Sequence, residues 1–290
     1  MIINFMCIGV GRSGTTWIYK LLDSHKDISM ALGKETNYFN NFYRSRSIDW
    51  YHEQFSTKKD YKSFGEVSNN YYFNEGIAER IFKYNPKTKL IFCIREPVDL
   101  LLTIKSFADR RSLRFHSVED FLQTPIVNIM GQAIRNSEES RDATTVFQSL
   151  FFDSYLNNFL KFFPKENIYL FKYEDLKENS KVSSENLLNF LGLRHTQETL
   201  LNLGKVNVRV RARLPFIGFI ASLVAQALRL MRMYSLLGKL KRSKIIYRIL
   251  FTKSIDNDFR MDLDNYFNHN SDIKQKITSS YFNACSIDSG

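Results

Sequence analysis

The 290-residue sequence contains few of the residues that cross-link or interrupt a chain: 3 cysteines, 5 prolines and 12 glycines. Two of the cysteines, Cys7 and Cys93, lie inside apolar runs, so we expect reduced core residues and neither a disulfide framework nor a cysteine-based metal cluster. The sequence also has no internal repeat and no linker rich in Pro, Gly or Ser. We therefore expect one domain covering residues 1–290.

Acidic residues are outnumbered, with 30 Asp and Glu against 41 Lys and Arg, which gives a net charge of +11. This excess favours an anionic partner such as a nucleotide, a nucleic acid, an acidic glycan or a lipid headgroup. The apolar start "MIINFMCIGV" lacks the basic segment and small-residue cleavage site of a secretory leader. It is typical of a first buried strand, and we expect a cytoplasmic protein.

An apolar run long enough to cross a membrane is also lacking. The stretch "PFIGFIASLVAQALRLM" has no charge until Arg229, and the strongly basic "RMYSLLGKLKRSKIIYRILF" follows it. We favour a pair of core-packing helices over about 215–251. The alternative is an amphipathic patch that rests on an anionic membrane or takes a lipid-like acceptor.

Strand-like and helix-like segments alternate along the chain. After the first strand, an amphipathic helix is predicted from four apolar positions, Trp17, Ile18, Leu21 and Leu22. A second strand covers Leu90–Ile94, and Pro97 follows it near the first turn of a helix. A third strand covers Asn167–Tyr173, and the helix after it ends at Gly192. This alternation predicts an α/β fold with a mainly parallel central sheet flanked by helices.

The stretch "CIGVGRSGTTW" fits two nucleotide-binding patterns, neither of them completely. Its glycines spell G-x-G-x-x-G, and Glu35 stands where a dinucleotide fold places the acid that binds a ribose. They also spell the G-x-x-x-x-G of an NTP-binding P-loop, but Thr15 follows Gly14 where that loop requires Lys. The strand "KLIFCI" then ends in Arg95, without an acidic residue for magnesium.

A glycine-rich turn ahead of a helix presents backbone N–H groups and the positive end of the helix dipole to an anion. Arg12 adds a cation, and three neighbouring side chains add hydroxyl groups. The sequence therefore predicts a phosphate site formed by Gly11, Arg12, Ser13, Gly14, Thr15 and Thr16.

Two stretches resemble the donor motifs of sulfotransferases that use 3′-phosphoadenosine 5′-phosphosulfate (PAPS). "GVGRSGTTWIYKLLDSH" resembles their 5′-phosphosulfate loop. "KLIFCIREPVDLLLTIKSF" resembles their 3′-phosphate motif, in which an apolar strand is followed by Arg, Pro and a hydroxyl residue, here Arg95, Pro97 and Thr103.

Further stretches resemble the same family in the same order. "GKETNYF" is similar to the segment carrying the catalytic glutamate in its Golgi-type carbohydrate and bacterial branches. "GEVSNNYY" resembles their G-E-x-S-P-x-Y segment, and "KVNVRVRARLP" the basic loop that closes over the cofactor. The resemblance extends from residue 3 to about 278.

The resemblance implies a P-loop nucleotide-kinase-like fold with a helical C-terminal part, and transfer of a sulfuryl group from PAPS. The acceptor would be a hydroxyl or amine of a glycan, a glycolipid or a small metabolite, and the product adenosine 3′,5′-bisphosphate (PAP). Glu35 would be the general base, with His116 a distant second. Arg12 would stabilise the leaving oxygen, and Lys34 would hold sulfate oxygens or face solvent. Arg95 and Thr103 would hold the 3′-phosphate. We expect no metal and no nucleic acid.

The sequence departs from the family at informative positions. A second arginine of the 3′-phosphate motif is replaced by Leu100, and we expect Arg209, Arg211 or Arg213 to supply the charge. Val67 replaces the Lys common after G-E in the glycan-modifying branch, which argues against a heparan-like acceptor, and Asn69 replaces the Pro of S-P-x-Y.

Two further hypotheses stay open at this point. One is a nucleotide-dependent phosphotransferase of related P-loop fold. The other is a membrane-surface or partner-binding protein with a relic nucleotide site.

Overall fold

A computed structural model describes residues 1–56, 60–74, 76–111, 113–130, 144–194, 210–212, 224, 251–253 and 257–287. Within them, a five-stranded sheet has the order β2-β3-β1-β4-β5, and every neighbouring pair is parallel. This confirms the predicted parallel sheet. Its strands are β1 (Phe5–Gly9), β2 (Ile28–Met30), β3 (Ser63–Val67), β4 (Lys89–Ile94) and β5 (Ile168–Lys172).

Helices connect and cover these strands. The N-terminal ones are α1 (Thr15–Asp23), α2 (Ile48–His52), α3 (Ile77–Tyr84) and α4 (Pro97–Arg110). The next are α5 (Val118–Gln123), α6 (Ile126–Met130), α7 (Phe152–Leu160), α8 (Tyr173–Glu178) and α9 (Ser180–Leu191). A two-stranded antiparallel pair, β6 (Val210–Ala212) and β7 (Phe251–Lys253), precedes α10 (Asn257–His269) and α11 (Ser271–Ile287).

Both faces of the sheet are packed. Alternate side chains of β1 enter different hydrophobic clusters, with Met6 and Ile8 on one face and Phe5 and Cys7 on the other. The second cluster includes the predicted apolar stripe of α1 and the buried Cys93, whose Sγ lies 3.6 Å from that of Cys7. Buried parallel strands of this kind read as continuous apolar runs, which is why β1, β4 and β5 were predictable.

Strand β3 was not predicted, because its sequence "SFGEV" has no apolar run. Gly65 is required there: a Cβ at this position would lie 2.1 Å from the Phe5 ring on the neighbouring strand. Glu66 follows it with no exposed surface. At these two positions β3 therefore has a glycine that allows close packing against Phe5 and a buried carboxylate, instead of apolar side chains.

The C-terminal helices lie on the side of the sheet that carries α4. Helix α10 contacts α4 and α5, and α11 contacts α4 and α7, with Leu263, Phe267 and Ile277 buried between them. The segment 215–251 lies outside the described residues, apart from Val224 and Phe251. None of the helices in the described ranges has the length and apolarity to cross a membrane.

Candidate active site

The glycine loop connects the end of β1 to the start of α1, at the carboxyl edge of the sheet. Gly9 has φ 133°, and a Cβ there would lie 2.5 Å from the Tyr72 ring and 2.6 Å from the Asn69 carbonyl oxygen. Gly14 caps α1 in the left-handed region with φ 93°. These backbone conformations explain why the sequence has glycine at both positions.

Inside the loop, Ser13 has no exposed surface, and among the described residues its hydroxyl has no hydrogen-bond partner. A buried polar atom without a partner costs free energy, so this hydroxyl is suited to a ligand. It lies just before the N-terminus of α1, where Thr15 is 3% exposed. The loop therefore fits an anionic group such as a phosphate.

Lys34 lies against this loop. Its ammonium Nζ donates to the hydroxyls of Thr15 at 3.3 Å and Thr16 at 3.1 Å, and it is 3.8 Å from Glu35 Oε1. Lys34 is therefore bonded to the first residues of α1. Burial lowers the pKa of Lys34, and the Glu35 carboxylate opposes this shift.

Arg12 supplies a second cation from within the loop. Its guanidinium lies 3.7 Å from the centre of the Phe107 ring, and its backbone has a positive φ of 71°. Burial and the charge of Arg110 lower the pKa of Arg12 to about 9, so that it remains protonated at neutral pH. Its position is tied to β4, because Arg95 Nη1 donates to the Arg12 carbonyl at 3.2 Å.

Arg95 is 7% exposed and follows directly on β4. Its guanidinium stacks 4.1 Å from the centre of the Tyr173 ring, and its Nη2 is 3.3 Å from Asp99 Oδ2. Its Nε is buried and has no partner among the described residues. Leu100, where the family motif has a second arginine, is fully buried.

The hydroxyl of Thr103, which we expect to hold the 3′-phosphate together with Arg95, is bonded within a helix in this structure. Thr103 lies on α4, and its Oγ1 donates to the Asp99 carbonyl at 2.9 Å, within the helix. In this arrangement its proton is used by the helix backbone and is not offered to a phosphate.

Glu35 lies beside the loop on the segment between β2 and α2. Its side chain is 37% exposed, so the carboxylate is open to solvent. Asn69 Nδ2 donates to Glu35 Oε1 at 2.6 Å. The backbone N–H of Glu35 donates to the Val67 carbonyl at 2.8 Å. The residue has a positive φ of 68°, a conformation that these contacts hold in place.

Beneath Glu35 lies a polar network that sequence reasoning missed. The carboxylate of Glu66 is fully buried and accepts hydrogen bonds from four hydroxyls, those of Thr36, Tyr51 (2.7 Å), Ser68 (2.8 Å) and Tyr71 (3.1 Å). Burial raises the pKa of Glu66, and these four bonds oppose the shift. The segment "GEVSNNYY" contains three members of this network, but their convergence on one carboxylate is not visible in the sequence.

The network fixes the segment that carries Lys34 and Glu35. Thr36 is the next residue along the chain, and the backbone N–H of Asn37 donates to Ser68 Oγ at 3.2 Å. The position of Glu35 is therefore set from below by hydroxyls bound to Glu66 and from the side by Asn69.

For some of the predicted site residues, the structure describes no side-chain contact with the glycine loop. Arg209 and Arg213 lie outside the described residues, and for Arg211 the structure gives the backbone, which belongs to β6 beside α4. His116 is exposed ahead of α5, where its backbone N–H donates to Asp120 at 3.0 Å.

Comparisons with known proteins bear on the family and the fold of this chain. The profile of the sulfotransferase domain family matches residues 3–206. The membrane-associated sulfotransferase kil1 of Dictyostelium discoideum is 35% identical over 36% of this chain and 23% of its own length. The heparan sulfate glucosamine 3-O-sulfotransferase 5 of Mus musculus is 25% identical over 56% of this chain and 45% of its own length. The chain thus spans less than half the length of either relative.

A solved structure is similar in fold. The crystal structure of a sulfotransferase from Alicyclobacillus acidocaldarius superposes with a TM-score of 0.57 at 18% identity, covering 82% of this chain and 96% of that one. The likeness supports a P-loop-like α/β fold.

Proposed function

We propose that this chain, which belongs to the sulfotransferase family, transfers a sulfuryl group from PAPS to a hydroxyl or amine of an acceptor. The observation that carries the proposal is the position of two adjacent residues over the glycine loop. Lys34 bonds to the hydroxyls of Thr15 and Thr16, and Glu35 follows it with a carboxylate open to solvent. An anion site and a candidate base thus lie side by side, as group transfer between a bound anion and an acceptor requires.

The loop and Arg95 suit the two ends of such a donor. The unpartnered hydroxyl of Ser13 and the N–H groups at the start of α1 would hold the 5′-phosphosulfate. The buried guanidinium of Arg95 would hold the 3′-phosphate. When bound, the donor supplies the activated sulfuryl group. For Thr103 we propose a weaker role, as a packing neighbour of that site.

The side chains would divide the chemical work. Negative charge grows on the leaving oxygen during transfer, and the cations Arg12 and Lys34 would stabilise that charge without moving. Glu35 would accept the proton of the acceptor, and Asn69 would keep its carboxylate in place. This step needs a carboxylate that an acceptor can approach from solvent, and the Glu35 side chain is 37% exposed.

For the acceptor we propose a glycan, a glycolipid or a small metabolite. A heparan sulfate enzyme is among the relatives, but Val67 is buried on β3 and offers no charge to an acidic polysaccharide. We propose a cytoplasmic location, and a peripheral membrane contact through 215–251 as the alternative, since one relative is named as membrane-associated.

Donor identity is tested by thermal shift. PAP should raise the melting temperature and Mg-ATP should not. Stabilisation by Mg-ATP without stabilisation by PAP would favour the nucleotide-dependent phosphotransferase.

Activity is tested with radiolabelled PAPS and lysate fractions separated into lipid, glycan and small-molecule pools. In the pool that becomes labelled, Glu35→Gln should lower the rate by roughly 10²–10⁴-fold while PAP binding is kept, because a general base contributes about this much. Glu166→Gln, an exposed glutamate far along the chain, is the matched control. Equal labelling by wild type and Glu35→Gln would remove the base assignment, and labelling of no pool by wild type would favour a relic nucleotide site.

A further inference from the structure

Three basic side chains from three separate elements meet at Asp99, on the first turn of α4. Arg95 Nη2 and Lys177 Nζ lie 3.3 and 3.5 Å from its Oδ2, and Arg260 Nη1 lies 4.0 Å from its Oδ1. Lys177 belongs to α8, and Arg260 belongs to α10, beyond the part of the chain that the family profile matches. One carboxylate is thus shared by three cations.

Among the described residues, two glutamates near this cluster form hydrogen bonds with other groups. Glu174 lies 3.9 Å from Lys177, but its oxygens accept from the backbone N–H of Glu96 and from the Tyr281 hydroxyl, each at 3.2 Å. Glu96 caps the start of α4 by accepting from two backbone N–H groups. Both glutamates therefore serve structural bonds.

The cluster has more hydrogen-bond donors than Asp99 can accept. A guanidinium presents five N–H donors and an ammonium three, whereas a carboxylate has about four acceptor sites. Arg95 Nε is buried without a partner among the described residues. Lys177 and Arg260 have half-exposed side chains, 49% and 53%, so their remaining donors are open to a ligand from solvent.

Tyr173 connects the cluster to the glycine loop. Its ring lies 4.1 Å from the Arg95 guanidinium and 5.5 Å from the Lys177 ammonium, so it packs against both cations. The same ring is so near the loop that a Cβ on Gly14 would lie 3.3 Å from it. Arg95 and Lys177 therefore adjoin the site proposed for the 5′ end of the donor.

We propose that Lys177 and Arg260 act with Arg95 to bind the 3′-phosphate of the donor, in place of the second arginine that Leu100 replaces. This inference rests on the proposed function. Because Arg95 and Lys177 contact the same oxygen, their nitrogens are less than about 7 Å apart, a distance that one phosphate can bridge by accepting on two oxygens at about 2.8 Å each. Lys177 and Arg260 thereby determine the specificity of the site for a nucleotide that carries a 3′-phosphate.

The test compares two nucleotides by calorimetry: PAP, and adenosine 5′-monophosphate (AMP), which lacks the 3′-phosphate. The proteins are wild type, Lys177→Ala, Arg260→Ala and the double variant. The double variant should bind PAP about 10-fold more weakly, with the affinity for AMP changed less than about 2-fold, because half-exposed charged contacts are partly screened. Lys181→Ala, an exposed lysine paired to Glu185 on α9, is the matched control and should behave as wild type.

A double variant that keeps the wild-type affinity for PAP, or loses PAP and AMP equally, would overturn the inference. The proposed function would survive such a result as long as wild type prefers PAP; if wild type does not bind PAP, both fall. Should the double variant fold poorly, the pair Lys177→Gln and Arg260→Gln replaces it. That pair removes both charges but keeps long polar side chains, so it should weaken PAP binding more than AMP binding, and an unchanged preference for PAP would overturn the inference.

Discussion

The proposed donor half and the proposed acceptor half of the site are held in different ways. The donor half, the loop 9–16 with Arg95, consists of backbone at the ends of β1 and β4, with glycines at positive φ and a buried guanidinium. The acceptor half, the segment 35–37, has an exposed carboxylate on a short irregular segment. Hydroxyl groups bound to the buried Glu66 hold that segment. The donor half is held rigid by the strand ends, and the acceptor half by the polar network around Glu66. Mutations in one half should therefore change its function without changing that of the other half.

The largest effect is expected at Gly9, in the donor half. In Gly9→Ala the added Cβ would meet the Tyr72 ring at 2.5 Å and the Asn69 carbonyl at 2.6 Å, at a φ that L-residues rarely adopt. We expect the free energy of unfolding to fall by about 3 kcal/mol or more, measured by urea denaturation. Gly33→Ala is the control, since its Cβ would meet nothing within 4 Å. Equal stability of the two variants would contradict the close approach.

Glu66→Gln should affect the acceptor half alone. Its amide cannot accept from all four hydroxyls, and we expect a loss of about 2 kcal/mol in the free energy of unfolding. Turnover should fall with it, while PAP affinity stays near that of wild type. Glu79→Gln, an exposed pair partner of Lys83, serves as the comparison. Loss of PAP binding in Glu66→Gln would show that the halves are not separable.

Asn69→Ala removes the 2.6 Å hydrogen bond to Glu35 and should reduce turnover about 5-fold with unchanged PAP affinity. Initial rates at saturating PAPS measure this. Asn74→Ala, which removes a bond from the same loop to the Asn70 carbonyl, should leave the rate near that of wild type. A rate for Asn69→Ala equal to that of Asn74→Ala would remove Asn69 from the site.

The smallest effect is a pH dependence of donor binding. Burial lowers the pKa of Lys34, so its charge is lost as pH rises through a range below that of an ordinary lysine. PAP affinity should therefore fall a few-fold at alkaline pH, in a window that begins below 10.5. Arg12, whose pKa is lowered to about 9 by burial, loses its charge in the same window, so Lys34→Arg should remove only the part of the fall that is due to Lys34. Identical pH profiles by calorimetry would place Lys34 away from the donor.

The two halves also differed in how far sequence could predict them. The glycine loop was recognisable because positive φ angles and a helix N-terminus require particular residues at fixed spacing. Strands β1, β4 and β5 were predictable from their apolar runs, whereas β3 has Gly65 and Glu66 where such a run would be. The setting of Glu35 depends on side chains that only the fold brings together, Tyr51 and Tyr71 among them. The same holds for Lys177 and Arg260, which lie far from Arg95 along the chain.

The hydrogen bond from Arg95 to the Arg12 carbonyl has a consequence for the order of folding. It joins residues 83 positions apart, whereas the bonds to Glu66 join residues at most 30 apart. Closing a longer loop costs more chain entropy and slows the formation of its contacts. We therefore expect the Glu66 network to form before the contact between Arg95 and Arg12 during folding. A chain emerging from the ribosome would position the proposed base, Glu35, before the proposed donor site.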